Sequence, residues 1–274
     1  MRVLFNGKIV DEGEARVSIA DKAVWYDFGV YESVKVLQGR VMWPEMHVER
    51  FFKSAEIIGL QLGWTKEEAL RWMREYAAAL SLKDHLIKIC AYGDADKNEQ
   101  ARVFMFALGL TFYPDKFYKE GVKAITYQGE RHFPNAKSFD ILLNFLAHGE
   151  ARKQGAFEAL LVDHNGNARE GTSTNLFVVE HEQVVTPPKE DVLEGVTRVH
   201  VIRLLEENKI PLREDRMNVE RLMNADEIFI TATSPNVMPV TTVNGQVIRD
   251  GKVGEVTKMV IRLYREVQRE FIRS

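Results

Sequence analysis

Four stretches carry groups whose types and spacing suit chemistry. In LEGVTR, residues 193–198, Gly195 stands immediately before a strongly apolar-periodic run, so the backbone N–H groups of Val196 and Thr197 have no carbonyl one turn earlier to bond. A helix end of that kind binds phosphate, although the same residues also describe a loop ending at Gly195 and an ordinary cap at Thr197. TATS, residues 231–234, is a second hydroxyl-rich turn directly after the strand-like EIFI, and it offers Thr233 and Ser234. Two such loops can close a cup around one phosphate. Lys137 follows the extended-favouring PNA and precedes an apolar periodic run; it reads either as a solvated lysine or as an amine nucleophile. Glu170, in EGTSTNLF, ends the turn after HNGNAR and leads into a strand, where a bare carboxylate is usually solvent-facing.

The elements that must hold these residues are legible from pattern. Asn6-Gly7 in LFNGKIV and Gln38-Gly39 in VYESVKVLQGRVMW predict two hairpins, the first with type I′ turn chemistry. Pro44 opens a helix running to about Gly59, and Thr65 with Glu68 has capping-box spacing at the head of a second. HLIKICAY and ARVFMFAL read as strands. After Pro114 come strand GVKAITY, a helix over KSFDILLNFLAHGEARKQG with Lys137 at its start, strands EALLVD and NLFVVE, helix TRVHVIRLLEEN, strand EIFITAT, hairpin MPVTTVNGQVI and a helix from about Gly254. Strands and helices do not alternate strictly, which favours α+β or an irregular barrel over a doubly wound sheet. The expected division is residues 1–113, a linker at 114–118, and 119–274.

Composition narrows the class. With 274 residues, 45% hydrophobic and 28% charged, the chain can bury a sizeable core, which argues against disorder and against a small stapled domain. A net charge of -3 gives no footprint for nucleic acid. Cys90 is the only cysteine, so no intrachain disulfide forms, and its apolar surroundings suit a buried structural thiol more than a nucleophile. No signal peptide or spanning apolar stretch is visible, so a cytoplasmic protein off the membrane is expected. No metal site is expected either.

A phosphate cup, a carboxylate and a lysine are the three anchors that a pyridoxal 5′-phosphate (PLP) site needs. KSFDILLNFLAHGEARKQGAFEALLVD, AREGTSTNLFVV, TPP, LEGVTR, ADEIFITAT and MPV, in that order, resemble the class IV aminotransferases, and VYESVKV with HVERFFKSAE extends the resemblance into the first half. It implies a two-domain, fold type IV α+β protein, with a small α/β N-terminal domain, a larger C-terminal pseudo-barrel and a site in the cleft between them. Lys137 is then similar to the lysine that holds PLP as a Schiff base and shuttles the proton between substrate α-carbon and cofactor. Glu170 resembles the carboxylate facing the pyridine nitrogen, with Arg131 keeping it ionised. Arg50 matches the phosphate arginine, Val196, Thr197 and Thr233 complete the cup, and Leu193 packs on the ring. Tyr31, Lys88, Thr233 and Ser234 are the substrate-pocket candidates. Without the resemblance, Arg50 reads first as a solvated helix residue, and Tyr31 equally as a core tyrosine. Amino acid and 2-oxo acid substrates and a homodimer whose partner closes the pocket are further implications.

Subfamily features diverge. D-amino-acid aminotransferases bear an Arg-x-His trap after the strand matching HLIKICAYG, where this sequence reads DADKNEQ. Branched-chain enzymes carry an arginine in that strand, near Lys88, and a tyrosine soon after the catalytic lysine, where Leu142 stands here. Tyr31 in VYESVKV leans toward the D-specific relatives. The expected reaction is ping-pong transamination between a branched-chain L-amino acid and 2-oxoglutarate. A D-amino-acid aminotransferase or (R)-amine transaminase is the alternative. Aminodeoxychorismate lyase ranks third, because its phosphate loop more often ends in Met-Arg than in Thr197-Arg198. A PLP-binding relative without turnover is opposed by the intact lysine, glutamate and arginine.

Overall fold

In the computed structural model, which describes residues 1–93 and 100–273, both predicted hairpin turns have positive φ at each central residue: 45° and 77° at Asn6-Gly7, 52° and 79° at Gln38-Gly39. That is the backbone hand a type I′ turn requires. The chain forms two units, residues 1–110 with 135–140, and residues 111–134 with 141–273.

In the first unit, β1 (Arg2–Phe5), β2 (Lys8–Asp11), β3 (Gly29–Leu37), β4 (Arg40–Val41), β5 (His85–Tyr92) and β6 (Arg102–Leu108) form an antiparallel sheet in the order β2-β1-β6-β5-β3-β4. A single turn, α1 (Lys22–Trp25), precedes β3. Helix α2 (Pro44–Ile58) begins with its proline and stops at Gly59, whose φ is 73°, and α3 (Lys66–Leu80) carries the Thr65–Glu68 capping box. Period-2 alternation places Val30, Val34, Val36, Ile87, Ile89, Ala91 and Met105 in one core with Phe51 of α2 and Met73 and Tyr76 of α3.

The second unit holds α4 (Asp115–Glu120), β7 (Val122–Gln128), α5 (Leu142–Lys153), β8 (Glu158–Val162), β9 (Ala168–Gly171), β10 (Asn175–Glu180), β11 (Gln183–Thr186), α6 (Val196–Glu207), β12 (Leu212–Glu214), α7 (Val219–Met223), β13 (Glu227–Ala232), β14 (Asn236–Val243), β15 (Gln246–Val247) and α8 (Glu255–Arg273). The path β10-β13-β14-β7-β8-β9 returns to β10, so six strands close a barrel, with β11 and β12 added beside β10 and β15 beside β14. The β7–β8 and β7–β14 pairings are parallel, the rest of the ring antiparallel. Strands β8, β10 and β13 are nearly continuous apolar runs because both their faces are covered. Leu160, Leu176, Val178, Ile228, Ile230 and Met238 face one cluster, while Ala159 and Leu161 pack with Ala147 and Ala151 of α5. The last barrel seam is a single pair, Glu170 opposite Asn175.

Two sequence expectations need comment. The 114–118 stretch contributes Pro114 and the first residues of α4 within the second unit. Lys137 is not at the start of a helix, which begins only at Leu142. Residues 137–139 are extended along β3 instead: Tyr31 N donates to Lys137 O at 2.9 Å, Phe139 N donates to Gly29 O at 3.0 Å, and Val30 bridges Ser138. Sheet-type bonds to the free edge of β3 outweigh the helical pattern that LLNFLAHGEARK extends backward. Among the described residues no helix is long and apolar enough to cross a membrane.

Candidate active site

The first unit carries Lys137, Tyr31, Lys88 and Arg50. Lys137 is held at both ends of its peptide: its N–H donates to Ser54 Oγ at 3.0 Å and its carbonyl accepts from Tyr31. Ser54 in turn donates to the Arg50 carbonyl at 2.8 Å, which ties the lysine segment to α2. Lys137 Nζ and Lys88 Nζ each lie 4.6 Å from the centroid of the Tyr31 ring, so two ammonium groups flank one aromatic ring. Phe139 braces that ring at 5.6 Å and stacks on Tyr92 at 4.5 Å. Gly29 has no side chain because a Cβ there would meet the Ala91 carbonyl at 2.5 Å and Phe139 at 2.6 Å.

Burial pushes the Lys88 ammonium below the ordinary lysine range, and the nearby Lys137 adds to the effect. Among the described residues the Lys88 ammonium has no carboxylate or hydrogen-bonding partner, only the Tyr31 ring. Register explains its neighbourhood: Ser33 is opposite Lys88 on β5, so Tyr31, Ser33 and Lys35 share the Lys88 face of the sheet. Lys35 is buried, which lowers it to about 8. Sequence reasoning missed it, although its period-2 relation to Tyr31 was readable. Cys90 is on the same face opposite Tyr31, and burial raises its thiol to about 11, as suits an inert structural cysteine.

Arg50 is not a solvated helix residue. Its Nε and Nη2 donate to the two carboxylate oxygens of Glu32 at 2.6 and 2.8 Å, and His47 Nδ1 lies 2.9 Å from Glu32 Oε2. Glu32 is wholly inaccessible; burial alone would raise its pKa, but Arg50 and His47 reverse that and hold the carboxyl far below the usual range. His47 is lowered, because burial outweighs its bond to Glu32. The guanidinium is thus aimed by a fixed carboxylate. Glu32 was also missed, yet it falls on the Val30, Val34, Val36 face, where a carboxylate requires a cation.

The second unit carries Glu170, Arg131 and the loop to α6. Glu170 Oε1 accepts from Arg131 Nε at 2.9 Å and Nη2 at 2.7 Å, while Oε2 accepts from Leu193 N at 3.1 Å. Arg131 also donates to the carbonyls of Phe133 and Pro134, fixing its own turn. Gly195 is the N-cap of α6 and offers no side-chain cap, so the amides of Val196 and Thr197 begin the helix at its positive end. Thr197 is buried, and the Tyr264 hydroxyl of α8 donates to its Oγ1 at 3.3 Å. Thr233 and Ser234 form the half-buried turn between β13 and β14. Thr231 Oγ1, buried one strand from Asn175, has no hydrogen-bond partner among the described residues. Arg198 turns away from the helix end, donating to Pro187 O at 3.1 Å and Glu214 Oε1 at 2.9 Å, which accounts for the TPP and VTR segments as a structural pair.

A carboxylate bonded to the residue two positions before an uncapped helix N-terminus suits a group with a cationic ring nitrogen at one end and a phosphate at the other. PLP fits that donor set. The sequence model described as amino-transferase class IV matches residues 29–243. The chain belongs to the class IV aminotransferases. It is a PLP-dependent transaminase of fold type IV. It is similar to the D-alanine aminotransferase of Bacillus licheniformis, 33% identical over 95% of this chain and 94% of that one. Among solved structures it resembles a branched-chain aminotransferase from Thermoproteus uzoniensis with norvaline, at TM-score 0.89 and 31% identity, over 97% of this chain and 94% of the other. A branched-chain amino acid aminotransferase of T.th. with pyridoxamine 5′-phosphate gives TM-score 0.91 at 27% identity, over 97% of this chain and 93% of the other. The DADKNEQ loop, where the D-specific trap is missing from the sequence, falls almost wholly in residues 94–99, outside the described residues.

Proposed function

We propose that this transaminase moves the amino group of a branched-chain L-amino acid to 2-oxoglutarate in two half-reactions. When bound, PLP supplies the electrophilic carbon that receives the amino group and a ring that draws electrons from the substrate α-carbon. In this reading Lys137 Nζ carries the cofactor and moves the proton at the α-carbon, its backbone held by Ser54 and Tyr31. Glu170 holds negative charge for the pyridine nitrogen, oriented by Arg131. The amides of Val196 and Thr197, with Thr233 and with Arg50 aimed by Glu32, hold the phosphate, and Leu193 packs on the ring.

The observation that carries the acceptor assignment is Lys88, an ammonium against Tyr31 with no anionic partner among the described residues and Lys35 on the same sheet face, and its place near the strand arginine of branched-chain enzymes supports the donor. A dicarboxylate acceptor meets such a group with its distal carboxylate, whereas an aliphatic side chain leaves it solvated. Tyr31 favours the second reading, a D-amino-acid donor, with the same acceptor. A homodimer is part of the proposal: Leu142, Phe145 and Leu146 on α5 are 66%, 73% and 52% exposed, an apolar face for a second copy to cover. The test is a half-reaction screen of the holoenzyme against L-leucine, D-alanine, D-glutamate and (R)-phenylethylamine, following loss of the cofactor's visible absorbance. L-Leucine is expected to react fastest; a faster reaction with D-alanine or D-glutamate transfers the assignment to D-amino acids, and one with the amine to an (R)-amine transaminase.

A further inference from the structure

Asn175 is the first residue of β10 and is buried at the seam where the barrel closes, opposite Glu170 on β9 and Thr231 on β13. A buried amide at a strand end demands partners. Its Nδ2 donates to the carbonyl of Leu193 at 2.7 Å. The N–H of the same Leu193 is held by Glu170 Oε2 at 3.1 Å, so neighbouring residues across one seam grip both polar ends of a single loop residue. Two positions on, Gly195 packs directly against the other end of the amide: a Cβ on Gly195 would clash with Asn175 Oδ1. The backbone φ of Gly195 is -66°, which any residue adopts, so close approach of Asn175 is what requires glycine here.

Resting on the reading of Glu170 and the α6 N-terminus given above, we propose that Asn175 is a positioning residue that sets the spacing between the carboxylate serving the ring nitrogen and the helix end serving the phosphate. Glu170 lies on β9, whereas α6 follows the segment 187–195 that leaves β11, and the bond from Leu193 N ties that segment to Glu170. Arg198 holds the start of that segment at Pro187 O, and next to the helix end the Glu170 bond fixes the Leu193 N–H but not the orientation of its carbonyl. The second bond, from Asn175 Nδ2 to the carbonyl of the same residue, fixes that orientation and sets the distance of Val196 and Thr197 from Glu170 Oε2. A ligand anchored at both ends gains from a spacing set in advance, and a ligand anchored at one end does not.

The test compares two ligands on the apoprotein: PLP, which uses both anchors, and pyridoxal, which lacks the phosphate. For Asn175→Ala and the near-isosteric, uncharged Asn175→Leu, both of which lose the donor, Kd for PLP should rise about tenfold, the loss of roughly one buried hydrogen bond. Kd for pyridoxal should stay within about twofold. Gly195→Ala, which pushes the amide aside from the other direction, should reproduce the pattern and add little when combined with Asn175→Ala. An equal rise for both ligands would mark Asn175 as a general packing residue and overturn the proposal, as would no change for either. Thr197→Val separates this outcome from failure of the underlying reading: if it leaves the PLP-to-pyridoxal ratio intact, the phosphate cup itself is misplaced, whereas a change there with none in the Asn175 variants removes the positioning role alone.

Discussion

Lys88→Met removes a charge while keeping an unbranched stem against Tyr31, so its effect isolates the ammonium. At a separation of about 4 Å and an effective dielectric constant near 20, the Coulomb attraction of an ammonium for a carboxylate is roughly 4 kcal/mol. Desolvation of the carboxylate offsets part of that, leaving about 1.5–3 kcal/mol, the usual range for a hydrogen bond to a charged group. The expected consequence is a rise of about tenfold to a hundredfold in KM for 2-oxoglutarate. 2-Oxoisocaproate, an acceptor with an isobutyl group in place of the distal carboxylate arm, should lose at most a fewfold. The pH profile gives a second arm. Because burial and Lys137 lower the Lys88 pKa, the wild-type preference for 2-oxoglutarate over 2-oxoisocaproate should fall as pH rises, and at lower pH than for an exposed lysine. Steady-state kinetics with both acceptors checks each arm. Parallel worsening for the two acceptors would refute the reasoning, since Lys88 would then bind the carboxylate common to all substrates; unchanged constants would make it a bystander.

The purified protein should be yellow, and borohydride should fix the cofactor to Lys137, with Lys137→Ala abolishing capture; peptide mapping that finds the label on Lys88 or Lys35 would displace Lys137 from its role. Glu170→Gln should retain the cofactor, because the amide oxygen can still accept from Leu193 N and the amides of Val196 and Thr197 are unchanged, yet slow the half-reaction with amino donor by orders of magnitude; stopped-flow absorbance measures this, and an unchanged rate would count against the carboxylate's role.

What could be read from the sequence divides along a physical line. Local chemistry was legible: Asn6-Gly7, Gln38-Gly39, Pro44 and the Thr65–Glu68 box each specify their backbone within a few residues, and all appear where the sequence places them. The proposed anchors Lys137, Glu170 and Thr197 stand out through motif order, but the partners that fix them come from distant segments. Ser54 meets the Lys137 amide across 83 positions, and Arg131 meets Glu170 across 39. The helix expected from Lys137 fails for the same reason, since the free edge of β3 competes for residues 137–139 and no local propensity encodes that edge. Polar residues on apolar faces were the overlooked signal. Glu32 lies among Val30, Val34 and Val36, and Asn175 opens a strand whose next four residues are all apolar and buried. Each is too costly to bury without a partner, so its place in the apolar pattern already implies one. Glu32 points to Arg50 and Asn175 to Leu193, and these are the residues on which the phosphate and ring assignments depend. Polar side chains at core positions therefore point to the supports of the proposed site, whereas reactive residue types point only to its proposed anchors.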